Sequence, residues 1–357
     1  MERAQMDDQT RTRVLVTGGT GFLGSHIIEA CLKRGDQVTA LVRPGSDLTH
    51  LQTLEGLQIV RGDLHEPGSL DIATEHCDVV FHAAARVVEH GSLAQFQQTN
   101  VAGTAHLLAS AQKNGVKRFV FVSSPSVTMS LGGSPQINAN EGDPYPRRYY
   151  NFYAETKAAA ERLVLAAHRP HFVTCAIRPR CVWGPRDVNG ALTKLIRKMS
   201  QGRLANLSGG RRVMVSTCYC ENAVHACLLA AEAEGSVVGG KTYFITDGSP
   251  VALWPFCADL AARFGLPAMH RSVAPGVVWL VASVFDFIWR IPWIHRRYAP
   301  PVSRYAAALV CQSSTFDITA AERDLGYSPV VDRETGLRET RPFLVEIGLL
   351  DGHPGGE

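Results

Sequence analysis

The chain has 357 residues, 45% of them hydrophobic, enough for one large domain or a domain with a smaller lobe. Its 36 basic and 33 acidic residues leave a net charge of +3, and no dense Lys/Arg block stands out, so nothing points to a nucleic-acid partner. The nine cysteines are odd in number and scattered, with Cys218-x-Cys220 the one close pair and no His cluster at zinc-site spacing; they read as reduced, mostly buried thiols of a cytoplasmic protein with no metal.

Residues 1–11 are polar, resemble neither a signal peptide nor a membrane span, and are expected to be a disordered tail. Val14-Leu-Val-Thr-Gly18-Gly-Thr-Gly21-Phe-Leu-Gly24 follows. It predicts a buried strand, a glycine turn and a helix from Phe22 to Leu32 that stops at Gly35. Gly18 turns the chain off the strand, Gly21 lets a pyrophosphate approach the backbone, and Gly24 lets the helix pack closely. The free N–H groups at the helix start then face the phosphates, which makes Gly18, Thr20, Gly21, Phe22 and Leu23 candidate cofactor contacts.

Gln37 to Val42 predicts the second strand, ending at Arg43 and Ser46 with no acid beside them. An acid there would accept from both ribose hydroxyls, whereas Arg43 suits a 2′-phosphate, so the reading leans to NADP over NAD. The third strand runs from Leu57 to Asp63-Leu64. There Asp63 either accepts from the adenine amino group, with Leu64 against the ring, or is a turn aspartate. The fourth strand delivers His82, read as structural, and the small residues Ala83 and Ala84, which suit a close cofactor approach. Ser92 to Lys113 has helical periodicity, carries Asn100 as a cofactor-site candidate, and stops at Asn114-Gly115. Val116 to Val122 is a fifth strand that ends at Ser123-Ser124.

Residues 130–151 read as a loop, and a helix begins near Phe152 with Tyr153 and Lys157 on one face. Removing an alcohol proton as hydride leaves needs a base, and a free tyrosine titrates near ~10, too high at neutral pH. A nearby ammonium and a positive nicotinamide ring favour the phenolate. Tyr153 is therefore the candidate acid/base, Lys157 the modulator and ribose anchor, and Ser124 the group that orients the substrate oxygen. Thr174 to Pro179 is a sixth strand, with Pro179 at the nicotinamide end and Arg178 read as an ion-pair residue. Leu192 to Gln201 is a basic amphipathic helix, Met214 to Tyr219 a strand, and Glu221-Asn222 the cap of a helix to Glu232. Lys241 to Asp247 returns to the sheet, Trp254 to Phe264 is helical, and Asp324 to Pro329 closes the globular part. Pro275 to Ile294 is apolar and Trp-rich but broken by Asp286, Arg290 and Pro292, so it suits a core helix, a pocket wall or a peripheral membrane contact rather than a span.

Taken together, Thr17 to Gly24, Asp63-Leu64, Phe81 to Ala84, Asn100, Ser124, Tyr153-x-x-x-Lys157 and Arg178-Pro179 resemble the extended short-chain dehydrogenase/reductase superfamily over residues 12–345. Ser123 to Val127, Trp183 to Asp187, Glu221 to His225, Gly239 to Asp247 and Asp324 to Pro329 look like its 3β-hydroxysteroid dehydrogenase family. Two branches are most similar, the sterol-4-carboxylate 3-dehydrogenases and the 2-alkyl-3-oxoalkanoate reductases. Arg178-Pro-Arg180 and Ser124 to Thr128 look more like the second. Cys220-Glu221 departs from the Val-Asp of many relatives.

The resemblance and the strand–helix alternation imply an α/β fold, a Rossmann-type doubly wound parallel sheet with a smaller, mostly helical C-terminal substrate lobe. The expected parts are an NAD(P)-binding domain at 12–185 with 214–247 returning to it, a substrate lobe at 186–213 and 248–345, and a tail at 346–357. The implied activity is an NAD(P)-dependent dehydrogenase interconverting a secondary alcohol and a ketone on a hydrophobic substrate. A sterol 3β-hydroxyl, with or without a 4-carboxylate that then leaves, stands first. The alternatives are 2-alkyl-3-oxoalkanoate reduction, nucleotide-sugar epimerisation and cofactor binding without turnover. Relatives suggest a homodimer.

Overall fold

The structure, a computed structural model, describes residues 11–351 apart from positions 89, 290, 296 and 299. The expected tails at 1–11 and 346–357 lie outside the described residues except at position 11 and at 346–351. There the packing continues past the expected boundary, because Leu350 is buried in the same core as Leu344.

Short runs of Val, Ile, Leu and Phe form the centre of the molecule, as expected where both faces of a parallel sheet are covered. The strands are β1 (Arg13–Thr17), β2 (Gln37–Val42), β3 (Gln58–Arg61), β4 (Val79–His82), β5 (Arg118–Val122), β6 (Val173–Pro179) and β7 (Thr242–Ile245). All pair in parallel, in the spatial order β7-β6-β5-β4-β1-β2-β3. Helices α1 (Phe22–Lys33), α2 (Pro67–Thr74), α3 (Gly103–Lys113) and α4 (Phe152–Ala166) connect these strands. Strand order reverses at β1, whose neighbours are β4 and β2, so a crevice opens at the carboxyl ends of β1 and β4.

The sheet separates two apolar clusters. Ile27, Ile28, Val120, Ile177 and Tyr243 lie in one, and Leu15, Leu107, Phe119, Phe121 and Phe172 in the other. A third cluster, with Trp183, Ile196, Met199, Trp254, Leu260, Leu337 and Leu344, belongs to the later part of the chain. It is built mainly from α5 (Ala191–Ser200), α7 (Leu253–Arg263) and α11 (Arg333–Glu346); α6 (Cys220–Glu232) and α10 (Thr319–Leu325) pack on the main sheet, α6 also meeting this cluster through Cys220, and α8 (Pro275–Ile288) and α9 (Arg304–Cys311) form a separate small cluster. The globular part therefore does not close at Pro329, since α11 buries Gly336, Leu337, Thr340 and Leu344.

Four local expectations are corrected. The 130–151 loop contains a strand, Gln136–Ala139, paired in parallel with Ser314–Phe316 in a second, four-stranded sheet. Asn222 is not a helix cap: its side chain is buried and bonds the Asp247 carboxylate and the backbone of Val330 and Val331. Ser92 does start a helix, with a capping box to Gln95, but residues Gln97–Ala102 widen into a π turn before α3. Pro275 to Ile294 is not a core helix. Only Pro275, Val278 and Ala282 of α8 are buried, against Ala307 and Cys311 of α9, and Asp286 is paired with Arg304 at 2.6 Å.

Candidate active site

The glycine turn joins β1 to α1. Gly18 has φ of +75°, and a Cβ there would fall 2.7 Å from the Ala84 amide nitrogen, so Gly18 must be glycine for the Ala83-Ala84 backbone to pass this close. A Cβ at Gly24 would fall 2.1 Å from the Gly18 carbonyl oxygen, so Gly24 keeps α1 against the turn itself rather than against the sheet. Gly21 caps α1 with no side-chain cap, and its first turn carries no acid. The unsatisfied N–H groups of that turn, next to exposed Thr20 and Gly21 and half-buried Phe22 and Leu23, form a cradle that fits a pyrophosphate. Arg43 is exposed one residue past β2, where the adenosine ribose would lie. Asp63 Oδ1 accepts from the His65 amide at 3.0 Å in the turn after β3, and Leu64 is buried beneath Gly103.

A buried polar chain runs sideways from the turn. Thr104 Oγ1 donates to the Asn100 carbonyl at 2.6 Å, so it must accept from His82 Nε2–H at 2.9 Å. His82 Nδ1 then accepts from Thr17 Oγ1 at 2.7 Å. Burial holds this imidazole neutral, with its pKa pushed down to about 3. Asn100 is also buried: its Oδ1 accepts from the Arg86 amide at 2.7 Å and its Nδ2 donates to Thr156 Oγ1 on α4 at 3.0 Å. The strand-end histidine is thus structural, and Asn100 fixes the chain after Ala84 to the helix that bears Tyr153.

That helix starts at Asn151, whose side chain accepts from the Ala154 amide at 2.8 Å. Tyr153 lies in its first turn, facing Ser124 just past the end of β5. Ser124 Oγ in turn accepts from Ser126 Oγ at 3.0 Å. One turn on, buried Lys157 donates to the Val122 carbonyl at 2.6 Å, with its Nζ 3.8 Å from the centre of the Phe121 ring. The structure thus brings Ser124, Tyr153 and Lys157 together at one strand end. Pro179 ends β6, separated from β1 by the two strands β5 and β4.

The electrostatics correct the expected tyrosine. Burial pushes the Tyr153 hydroxyl above its ordinary range, Tyr305 adds to the rise, and Ser124 opposes it. Lys157 does not lower it, because its ammonium is aimed at Val122 and Phe121. Burial depresses Lys157 to about 7, partly offset by Glu161 one turn further along. Glu161 is itself held by a buried bidentate pair with Arg178, at 2.9 and 2.6 Å, and by the Tyr145 hydroxyl at 2.5 Å. Tyr305 on α9, which packs 6.1 Å from Tyr150, was invisible in the sequence, where it is one tyrosine with no motif around it. Thr156 escaped notice for the same reason.

Among the described residues, no group of three His, Cys, Asp or Glu is arranged to hold a metal, and no helix is long and apolar enough to cross a membrane.

Comparisons with known proteins bear on this site. The 3-beta hydroxysteroid dehydrogenase/isomerase family matches residues 15–275. The chain is 35% identical over 331 residues to a 2-alkyl-3-oxoalkanoate reductase of Stenotrophomonas maltophilia, covering 92% of this chain and 98% of the relative. It is 36% identical over 329 residues to a 4-hydroxy-2-methyl-3-oxo-4-farnesyl-3,4-dihydroquinoline-1-oxide ketoreductase of Stigmatella aurantiaca, covering 92% and 96%. A 3-beta-hydroxysteroid dehydrogenase of Mycolicibacterium neoaurum is 32% identical over 349 residues, covering 94% and 92%. Among solved structures, MoeE5 in complex with UDP-glucose and NAD is similar with a TM-score of 0.70 and 25% identity, over 94% of this chain and 99% of that one. The Bordetella bronchiseptica enzyme WbmG in complex with NAD has a TM-score of 0.73 at 20% identity, over 96% of each chain, which speaks to the fold alone.

Proposed function

Since the chain belongs to the 3-beta hydroxysteroid dehydrogenase/isomerase family and is an NAD(P)-dependent oxidoreductase, we propose that it interconverts a secondary alcohol and a ketone on a large apolar substrate through Ser124, Tyr153 and Lys157. The observation that carries this reading is the meeting of these three side chains where β5 ends and α4 begins. The nicotinamide dinucleotide, when bound, supplies the hydride acceptor or donor. Gly18, Thr20, Gly21, Phe22 and Leu23 would hold its pyrophosphate, Arg43, Asp63 and Leu64 its adenosine half, and Ala83, Ala84, Asn100, Lys157 and Pro179 the rest.

Within that frame the protein's own steps are few. The Ser124 hydroxyl binds the substrate oxygen and orients it toward Tyr153. Tyr153 takes the hydroxyl proton in oxidation and returns it in reduction. Lys157, fixed by Val122, holds a positive charge or a donor one turn below the phenol. The phenolate is favoured only when the adjacent positive ring joins it, so the base is activated by cofactor and not before.

Two substrates share this chemistry. A 3-oxoalkanoate stands first, because the Ser124 to Thr128 and Arg178 to Arg180 stretches resemble that branch and a relative of that name is 35% identical. A sterol 3β-hydroxyl, with or without a 4-carboxylate, stands second, supported by the steroid dehydrogenase relatives at 32–33% identity. A panel of long-chain 3-hydroxy acids, 3β-hydroxysterols and a UDP-sugar, followed by NADH and NADPH absorbance, tests the reading. Turnover of a long-chain or sterol alcohol is expected; epimerisation of the UDP-sugar, read by chromatography of the sugar nucleotide, with none of the alcohols turned over would overturn it.

The partner readings follow from the surface. Leu280 and Phe287 of α8 are 66% and 70% exposed, and Val277, Val284 and Trp293 lie open nearby, which supports contact with a bilayer that supplies the substrate. Co-flotation with liposomes that is lost in Leu280→Ser/Phe287→Ser supports this; no flotation of the wild type overturns it. The homodimer rests on the family resemblance, and sedimentation equilibrium decides it.

A further inference from the structure

Arg180 is a buried cation for which the described residues offer no anion. It is 8% exposed, its Nε is buried without a hydrogen-bond partner, and no carboxylate pairs with it among the described residues. Its guanidinium carbon lies 5.9 Å from the Phe316 ring centre, a weak substitute for a counter-charge. Two residues earlier, equally buried Arg178 shows the ordinary solution, a bidentate bond to Glu161. The nearby carboxylates are otherwise engaged. Asp247 accepts from Trp183, Thr217, Asn222 and the Tyr219 amide, and Asp187 faces the Gly190 and Asn189 amides and Lys194. A largely buried guanidinium with no charge opposite it is unfavourable.

The backbone places this cation at the candidate site. Val122 of β5 pairs with Ile177 of β6, so Ser124 lies two residues and Arg180 three residues past that rung, on neighbouring strand ends. The Arg180 amide donates to the Ile245 carbonyl at 3.0 Å, so the ladder to β7 continues past Pro179. Alternation then turns Arg180 to the same face as Arg178, the face that α4 covers. α4 runs from the carboxyl edge of the sheet toward its amino edge, with Tyr153 in its first turn and Glu161 two turns on. Arg178 meets Glu161, and Arg180 lies two residues nearer the carboxyl edge, on the strand end beside the one that bears Ser124.

We propose that Arg180 receives a carboxylate borne on the carbon next to the carbinol carbon, so that the substrate class is the 3-hydroxy acids and their 3-oxo partners rather than neutral alcohols. The proposal rests on the alcohol–ketone chemistry proposed above and deepens it. An alkanoate with a 3-oxo group and a sterol with a 4-carboxylate both carry this arrangement, and a neutral 3β-hydroxysteroid does not. Arg180 acts as a specificity residue: it supplies a fixed positive charge on a largely buried strand end, where a bidentate carboxylate gains most and an ester gains least.

The test compares 3-hydroxydodecanoate with its methyl ester, oxidised by the purified full chain and followed by NAD(P)H absorbance. Wild type should favour the acid at least about tenfold in kcat/KM, mainly through KM. Arg180→Gln should bring that ratio near one, and Arg180→Lys should keep an intermediate ratio. NAD(P)H fluorescence on binding reports whether each variant is folded, and if Arg180→Gln is not, the wild-type ratio and Arg180→Lys carry the test. A wild-type ratio near one, or a ratio unchanged in Arg180→Gln, overturns the proposal. Tyr153→Phe separates the two readings: if it leaves both substrates turning over at the wild-type rate, the alcohol–ketone mechanism fails, whatever Arg180 does to the ratio.

Discussion

Lys157 donates a 2.6 Å hydrogen bond to the Val122 carbonyl, tying the second turn of α4 to the last residue of β5. This bond fixes the lysine under Tyr153 and beside Ser124, and it shows that the ammonium serves the strand end before it serves the phenol. Burial, not charge pairing, sets its basicity, and the prediction with the clearest sign comes from it.

The folded pKa of Lys157 is depressed to about 7 from an ordinary 10.5. Between those values the unfolded chain binds this proton and the folded chain does not. Stability from this group therefore rises with pH across that window and is weakest below about 7, with a slope of at most about 1.4 kcal/mol per pH unit. Urea melts of wild type and Lys157→Met isolate the effect from the buried tyrosines and thiols, which titrate in both proteins. The stability of wild type minus that of Lys157→Met should increase from about pH 7 to about pH 9; a flat or falling difference contradicts this.

The Glu161–Arg178 pair lies one turn further along α4, with side chains 0% and 2% exposed. Removing one partner leaves the other charge buried, a loss of about 3–5 kcal/mol. Glu161→Gln should lower the urea midpoint by that equivalent with an unchanged slope. A change under about 0.5 kcal/mol would show that water already reaches the pair.

At the other end of the site, Gly24→Ala puts a Cβ 2.1 Å from the Gly18 carbonyl oxygen, so α1 must move off the turn. The dinucleotide dissociation constant should weaken about tenfold or more, with about 1–3 kcal/mol of stability lost. Gly68→Ala, in α2 with open space around the added Cβ, is the matched control and should change neither. Equal affinity in the two variants would remove the turn from the cofactor site.

Much of this arrangement was legible in the sequence because it is local. The β1–turn–α1 unit is spelled by three consecutive apolar residues and three glycines, and Gln37–Val42 is bounded as the sequence predicts. Tyr153 and Lys157 are four apart on one helix, so their common face follows from helical geometry. What escaped is non-local. Gln136–Ala139 becomes a strand only because Ser314–Phe316 pairs with it, and no period in four residues announces that. Tyr305 reaches Tyr153 from a helix more than a hundred residues on. For Pro275 to Ile294 composition left a core helix, a pocket wall and a membrane contact open, because it does not show that only Pro275, Val278 and Ala282 of this helix are buried. Arg180 carried no signal beyond its letter, since a cation without a partner is visible only once every neighbour is placed.

The central claim is that Tyr153 moves the proton that accompanies hydride transfer. Single-turnover reduction of bound NAD(P)+ by a long-chain secondary alcohol, in wild type and Tyr153→Phe, tests it most directly. The account predicts that the variant binds NAD(P)H within about threefold of wild type while hydride transfer falls by about a thousandfold. Hydride transfer in Tyr153→Phe within about tenfold of wild type would contradict it.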